Sequence, residues 1–208
     1  SLFGILFGII SAIRRNSVID QAVRAVSVTG VSIPAFWFAL LMLYFFYYKL
    51  KIFPGPGRLS NSFSAPQTVT GMYVLDSLLE GNTAKAMDAL RHLILPSIVL
   101  AAFTMGLITR TTRSNLLDAL STDYIRTAKA KGLSGLGLIM RHALGNALIP
   151  VITYVGPMTA SILTGSLVVE SIFTIGGLGS KFVECITNRD YPMIMGTTIF
   201  LATLMVTM

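Results

Sequence analysis

LILPSIVLAAFTMGLIT, residues 93–109, runs without one charged side chain between Arg91-His92 and Arg110. As a helix rising ~1.5 Å per residue it covers roughly 25 Å, close to the ~30 Å hydrocarbon core of a bilayer. Two further stretches of the same kind flank it, Val31 to Tyr48 and about Leu148 to Val169. Shorter apolar runs lie at the ends, Ser1 to Ile13 before Arg14-Arg15, and Pro192 to Met208. The first has no basic segment before it and no A-x-A site after it, so a chain clipped at both ends is expected rather than a signal peptide. The expected fold is an all-α polytopic membrane protein with three full and two partial transmembrane helices, residues 1–208 forming a single membrane domain.

Composition agrees with that solvent. Of 208 residues 53% are hydrophobic and 12% charged, against ~25% charged in an ordinary soluble domain, which excludes a water-soluble globule. Lys and Arg number 16 against 9 acidic residues, net +7, a balance that basic loops of membrane proteins explain without any nucleic-acid partner. The single Cys185 excludes an intramolecular disulfide and a cysteine-cluster metal site. Pro34, Pro96, Pro150 and Pro157 fall within or at the mouths of the spans, where kinks are expected. Gly156, Ala160, Ser161, Gly165 and Ser166 form a small-residue series suited either to packing within the bundle or to a second subunit.

Five crossings put segments 14–30 and 110–147 on one side and 49–92 and 170–191 on the other. The first pair carries nine basic and three acidic residues, net +6; the second carries seven and six, net +1. Basic loops face the cytoplasm, so 110–147 is expected inside and 49–92 outside.

Within the inner segment, Leu116 to Gly132 (LLDALSTDYIRTAKAKG) is too charged to cross, yet Leu117, Leu120, Tyr124 and Ala128 recur at helical spacing. Ser121, Thr122 and Asp123 are able to cap a helix start, and Gly132 to end one. A second amphipathic stretch runs through Leu136, Ile139, Met140 and Ala143. This helix, glycine turn and helix fits either an interfacial element on anionic lipid or a docking element for a partner.

YIRTAKAKGL, followed by RHALGNALIP, resembles the cytoplasmic loop of binding-protein-dependent ABC transporter permeases of the dipeptide/oligopeptide/nickel branch. In that superfamily the loop carries a Glu-Ala-Ala pattern with a glycine four residues on. Here Arg126-Thr127-Ala128 stand at the triplet and Gly132 at the glycine; the glutamate is absent, and its role is not carried over. Gly30 to Trp37, Leu95-Pro96, Ile172 to Gly179 and Asn188 to Pro192 extend the resemblance over almost the whole chain.

The resemblance implies a type I importer helix bundle whose coupling helix docks into a groove on an ATPase. Tyr124, Ile125, Arg126, Thr127, Ala128, Lys129, Lys131 and Gly132 would form that element: Tyr124, Ile125 and Ala128 as contact area, and Arg126, Lys129 and Lys131 as orienting charges or lipid contacts. It further implies a second homologous permease subunit, two ATP-binding cassette subunits carrying ATP and Mg, an extracytoplasmic solute-binding protein, and a place in the cytoplasmic membrane of a bacterium or archaeon. No cofactor or metal is expected on this chain. The long 49–92 segment, with a short helix from Gly71-Met72-Tyr73 to Leu79, looks more like the dipeptide-type than the nickel-type permeases, so di- or oligopeptide import by alternating access is expected. Nickel or metal chelates, glutathione or another small solute are the alternatives.

Two rivals come from other classes. A membrane enzyme needs ionisable groups within the bilayer, and none of the three full spans holds Asp, Glu, His, Lys or Arg. His92 and His142 flank helices and are expected at the interface, and Ser11, Thr104, Ser161 and Thr164 as helix-packing hydroxyls. Ile175 to Gly179 has the look of a nucleotide loop but lacks the lysine, and no Walker motif occurs anywhere. A passive channel fits the helices equally well; the coupling-loop pattern argues against it.

Overall fold

The computed structural model describes residues 2–133, 135–163 and 166–207, and contains helices and no strand among them. In chain order these are α1 (Leu2–Ile13), α2 (Val18–Ser32), α3 (Ala35–Met42) with a π-helical continuation Leu43–Lys49, α4 (Tyr73–Leu79), α5 (Thr83–Leu120) and α6 (Asp123–Ala130). There follow α7 (Gly135–Leu138), a π-helical turn Ile139–Ala143 leading into α8 (Leu144–Leu163), α9 (Leu167–Ile172), α10 (Leu178–Thr187) and α11 (Tyr191–Thr207). Among the described residues, α5 and a stretch starting at Gly135 are long and apolar enough to cross a membrane, and α2 with α3 make a third span if the pair is counted as one. The helices α1 and α11 are the shorter apolar ones. An all-α polytopic membrane bundle therefore stands.

Element boundaries depart from expectation for local reasons. Residues 14–30 are not a loop: Ser17 starts α2 by accepting the Asp20 N–H on its hydroxyl at 3.2 Å. The span expected from Val31 is broken at Ile33-Pro34, where proline cannot continue α2 and instead caps α3. Pro96, Pro150 and Pro157 by contrast sit inside α5 and α8, which stay helical through them. The central span begins ten residues early and ends eleven late. Its start is set by Gly81-Asn82. Gly81, at φ +73°, closes α4 as Asn82 donates its N–H to the Ser77 carbonyl, and the Asn82 side chain then accepts the Lys85 N–H at 3.0 Å. Thr164 and Gly165, expected among the small packing residues, lie outside the described residues.

The chain divides into two compact units. One comprises Ser1–Ile33, Ala101–Ser161 and Leu204–Met208. Its α1 lies against α5 through Gly4 and Gly8, one turn apart: a Cβ on Gly8 would stand 2.6 Å from the Thr112 Cβ and 2.8 Å from the Thr109 carbonyl oxygen. Gly106 of α5 admits the α2 backbone in the same way, with the Ser27 oxygen 2.7 Å from where a Cβ would be. Small residues let helix backbones approach this closely. The core of the unit is formed by Ala12, Leu116, Ala119, Ile125, Ala128, Leu138, Ala143 and Ala147.

The other unit comprises Pro34–Leu100 and Ile162–Thr203, with a core of Ala39, Leu95, Val99, Val169 and Phe173. The expected short helix after Gly71-Met72 is α4. Its entry is fixed by the buried Asp76, which accepts the Thr70 hydroxyl at 2.7 Å and the Thr70 and Gly71 N–H groups at 2.8 and 3.0 Å. His92 is buried, its Nδ1 2.9 Å from the Asp88 carbonyl oxygen.

Candidate functional site

The coupling-loop residues fold as α6 and the turn that follows. Asp123 in the first turn places a carboxylate at the positive end of the helix dipole. Thr122 holds the N-cap position, yet its hydroxyl donates backwards to the Ala119 carbonyl rather than receiving an α6 N–H. The capping expected of Ser121, Thr122 and Asp123 is thus a backbone break rather than a side-chain cap. At the far end Lys131 is the C-cap and Gly132, at φ +85°, the residue after it. Leu133 donates its N–H to the Ala128 carbonyl at 3.2 Å and Gly132 to the Lys129 carbonyl at 3.0 Å. This pair of bonds is a Schellman closure, which needs a left-handed residue where Gly132 stands.

With Gly132 in the turn, that geometry sorts the other seven candidate residues into two groups. Ile125 and Ala128 point into the unit, with Ile125 fully buried. Tyr124 is 40% exposed, and Arg126, Thr127, Lys129 and Lys131 are exposed. The contact area expected of Ile125 and Ala128 is therefore turned inward, where it seats α6 on the ends of α5 and α8. The outward face is one aromatic ring, one hydroxyl and three cations. Arg126 leans on Asp123 at 3.3 Å, an exposed pair that contributes little stability.

Residues 4–208 match the family described as binding-protein-dependent transport system inner membrane component. The chain belongs to this family. It is 46% identical over 195 residues to the probable D,D-dipeptide transport system permease protein DdpB of Escherichia coli K12, covering 94% of this chain and 57% of that protein. Over 205 residues it is 43% identical to the dipeptide transport system permease proteins DppB of Haemophilus influenzae and of Bacillus subtilis, covering 99% of this chain and 61% and 57% of theirs. The chain thus spans about three-fifths of the length of the relatives it matches.

In this inner membrane component the structure also joins residues that the sequence left scattered. Asp20 of α2 is fully buried and accepts four hydrogen bonds. Its Oδ1 takes the Ser11 hydroxyl at 2.5 Å and Arg113 Nε at 2.7 Å, and its Oδ2 takes Arg113 Nη2 at 2.8 Å and the Asn16 N–H at 2.9 Å. One bidentate ion pair thereby ties α1, the α1–α2 turn, α2 and α5 together. Sequence counting assigned Asp20 and Arg113 only to loop charge. The signal that was available is Ser17-Val18-Ile19-Asp20, a helix-start spacing that makes 18–32 a helix.

The glycine-rich stretch 175–179 holds an anion of its own chain. Glu170 accepts the Gly179 N–H at 3.3 Å and the Ser180 N–H at 2.7 Å at the start of α10. A side chain on Gly177 would collide with that carboxylate at 2.6 Å, so the loop is an internal cap and not a phosphate cradle.

Proposed function

We propose that the chain is part of the transmembrane permease subunit of an ATP-driven ABC importer, moving di- or oligopeptides delivered by a solute-binding protein. The observation that carries the reading is α6: a short helix seated from beneath by Ile125 and Ala128, closed rigidly at Gly132, and offering Tyr124, Arg126, Lys129 and Lys131 outward. A knob that transmits motion must be rigid in itself and differ in affinity for the two states of its socket. The aromatic ring and arginine are the residue types that dominate such contacts. The dipeptide permeases among its relatives support the substrate class. ATP and Mg belong on two partner ATPase subunits, and a second homologous permease completes the path, in the cytoplasmic membrane of a prokaryote. The chain itself carries no catalysis.

The test is Tyr124→Ala/Arg126→Ala in the full-length protein within its complete assembly. Loss of two such contacts weakens docking roughly 30-fold or more. Dipeptide uptake is expected to fall accordingly at normal membrane abundance. Unchanged uptake overturns the coupling role, and uptake of nickel chelates but of no dipeptide overturns the substrate class.

A further inference from the structure

We propose that the cleft between α2 and α5 is a binding site for the phosphate headgroup of an anionic phospholipid. A cavity of about 300 Å³ opens there within the first unit. Arg24, Arg110, Arg113 and Ser114 line its polar part. Arg113 is committed to Asp20 through Nε and Nη2. Arg24 reaches that carboxylate only at 3.6 Å and is half exposed. Arg110 has no ion pair or hydrogen bond among the described residues. The lining thus holds three guanidinium groups and no carboxylate, and Asp20, behind it, is bonded to Arg113 and 3.6 Å from Arg24, so the polar part carries a surplus of positive charge and N–H donors, the chemistry that recognises phosphate.

The remainder of the lining decides between a lipid and a free anion. Along α2 the wall passes from Arg24 through Ser27 to Val28, Val31 and Ser32, and along α5 from Arg110 and Thr109 to Leu107 and Gly106, so all the charge is at one end and the other end is valine, leucine and small residues. From Arg24 to Val31 is seven residues, roughly 10 Å of helix. A ligand charged at one end and apolar at the other fits this gradient, whereas inorganic phosphate would leave the apolar part unused. The polar part lies on the side of the basic loops, which anionic lipid attracts. The proposal rests on the membrane placement of the family and not on the peptide reading.

The experiment uses the full-length chain in its assembly, in detergent, with phosphatidylglycerol added and bound lipid counted by native mass spectrometry. Arg24→Gln/Arg110→Gln is expected to weaken phosphatidylglycerol binding about tenfold or more. Arg14→Gln/Arg15→Gln, which removes the same charge from residues that do not line the cavity, is expected to weaken binding much less than Arg24→Gln/Arg110→Gln does. Val28→Trp, which obstructs the apolar part without altering charge, is expected to reduce binding as well, so the proposal stays testable if the double variant does not assemble. Phosphatidylcholine should not compete. Equal losses in the two double variants, or retention in both Arg24→Gln/Arg110→Gln and Val28→Trp, overturn the site; displacement by inorganic phosphate at equal concentration makes it a free-anion site and overturns the lipid. Peptide uptake is recorded in parallel, so failure of either reading is seen separately.

Discussion

Asp20 has no exposed side-chain surface and Arg113 is only 18% exposed, so each charge is costly to leave without the other, the carboxylate most of all. Breaking a buried pair from one side costs about 3–5 kcal/mol, because the surviving charge stays buried and unpaired. Asp20→Asn is therefore expected to lower the unfolding midpoint in detergent sharply. The double variant Asp20→Asn/Arg113→Met should lose less than the two single variants combined, since the orphaned cation is gone; simple additivity would show that the pair is not coupled. Glycines act here for two separate reasons. At Gly8 the space is occupied, with Thr112 2.6 Å from where a Cβ would sit, so Gly8→Val should cost roughly 1–3 kcal/mol through overpacking. At Gly132 the space is open and only the positive φ objects, so Gly132→Ala should cost about 1 kcal/mol. The same melting experiment checks both, and a larger loss at Gly132 than at Gly8 would refute the assignment. The close approach at Gly4 and Gly8 was not read from the sequence, because contact between distant helices leaves no mark in a single sequence.

At the scale of elements, hydropathy located the apolar spans because burial in a bilayer needs long uncharged runs, and helical spacing placed Leu117, Leu120 and Ala128 on the core side but put Tyr124 there wrongly, because phase is local. The face read through Leu117, Leu120, Tyr124 and Ala128 assumed one helix, but the backbone breaks at Ser121-Thr122 and Ile125 takes the inward place of Tyr124. Further on, the π-helical turn at Ile139–Ala143 shifts the register. Of the stretch read through Leu136, Ile139, Met140 and Ala143, Ile139 and Ala143 pack on the core, whereas Leu136 and Met140 are exposed and Leu138 is buried instead. The glycine that ends α6 was readable, since its left-handed backbone is a property of one residue. In the other unit, α4 depends on a titratable group. Hydrogen bonds from the Thr70 hydroxyl, then from the Thr70 and Gly71 N–H groups, hold the Asp76 carboxyl below the usual carboxylate range. A lowered folded-state value means the stabilisation is complete above the unfolded value of ~3.9 and disappears as pH falls through the lowered one. Proteolysis within 66–82 should thus stay slow at pH 5 and accelerate only in strong acid. Asp76→Asn should be cleaved faster than wild type at pH 5, with the gap closing in strong acid; a variant as resistant as wild type at pH 5 would remove Asp76 from this role.

For the whole molecule, the charge asymmetry makes a claim that the helical architecture leaves free: a bundle of apolar helices is as stable inverted as upright, and only the loops decide. The net charges of +6 on 14–30 with 110–147 and +1 on 49–92 with 170–191 predict α6 inside, the side on which the proposed ATPase partner would dock, and the α4 segment outside, the side of the proposed binding protein. The structure sharpens the choice of reporters, since Asn61 and Ser121 are both exposed and Cys185 is buried. In a Cys185→Ser background, Asn61→Cys is expected to react with a membrane-impermeant thiol reagent in intact cells whose outer membrane is permeabilised. Ser121→Cys should react only after the cytoplasmic membrane is opened. Both cysteines must label in opened membranes, which shows that each is accessible. Labelling of position 121 but not of 61 in intact cells would invert the bundle, place Tyr124 and Arg126 on the wrong side for any ATPase, and bring down the coupling role with the orientation.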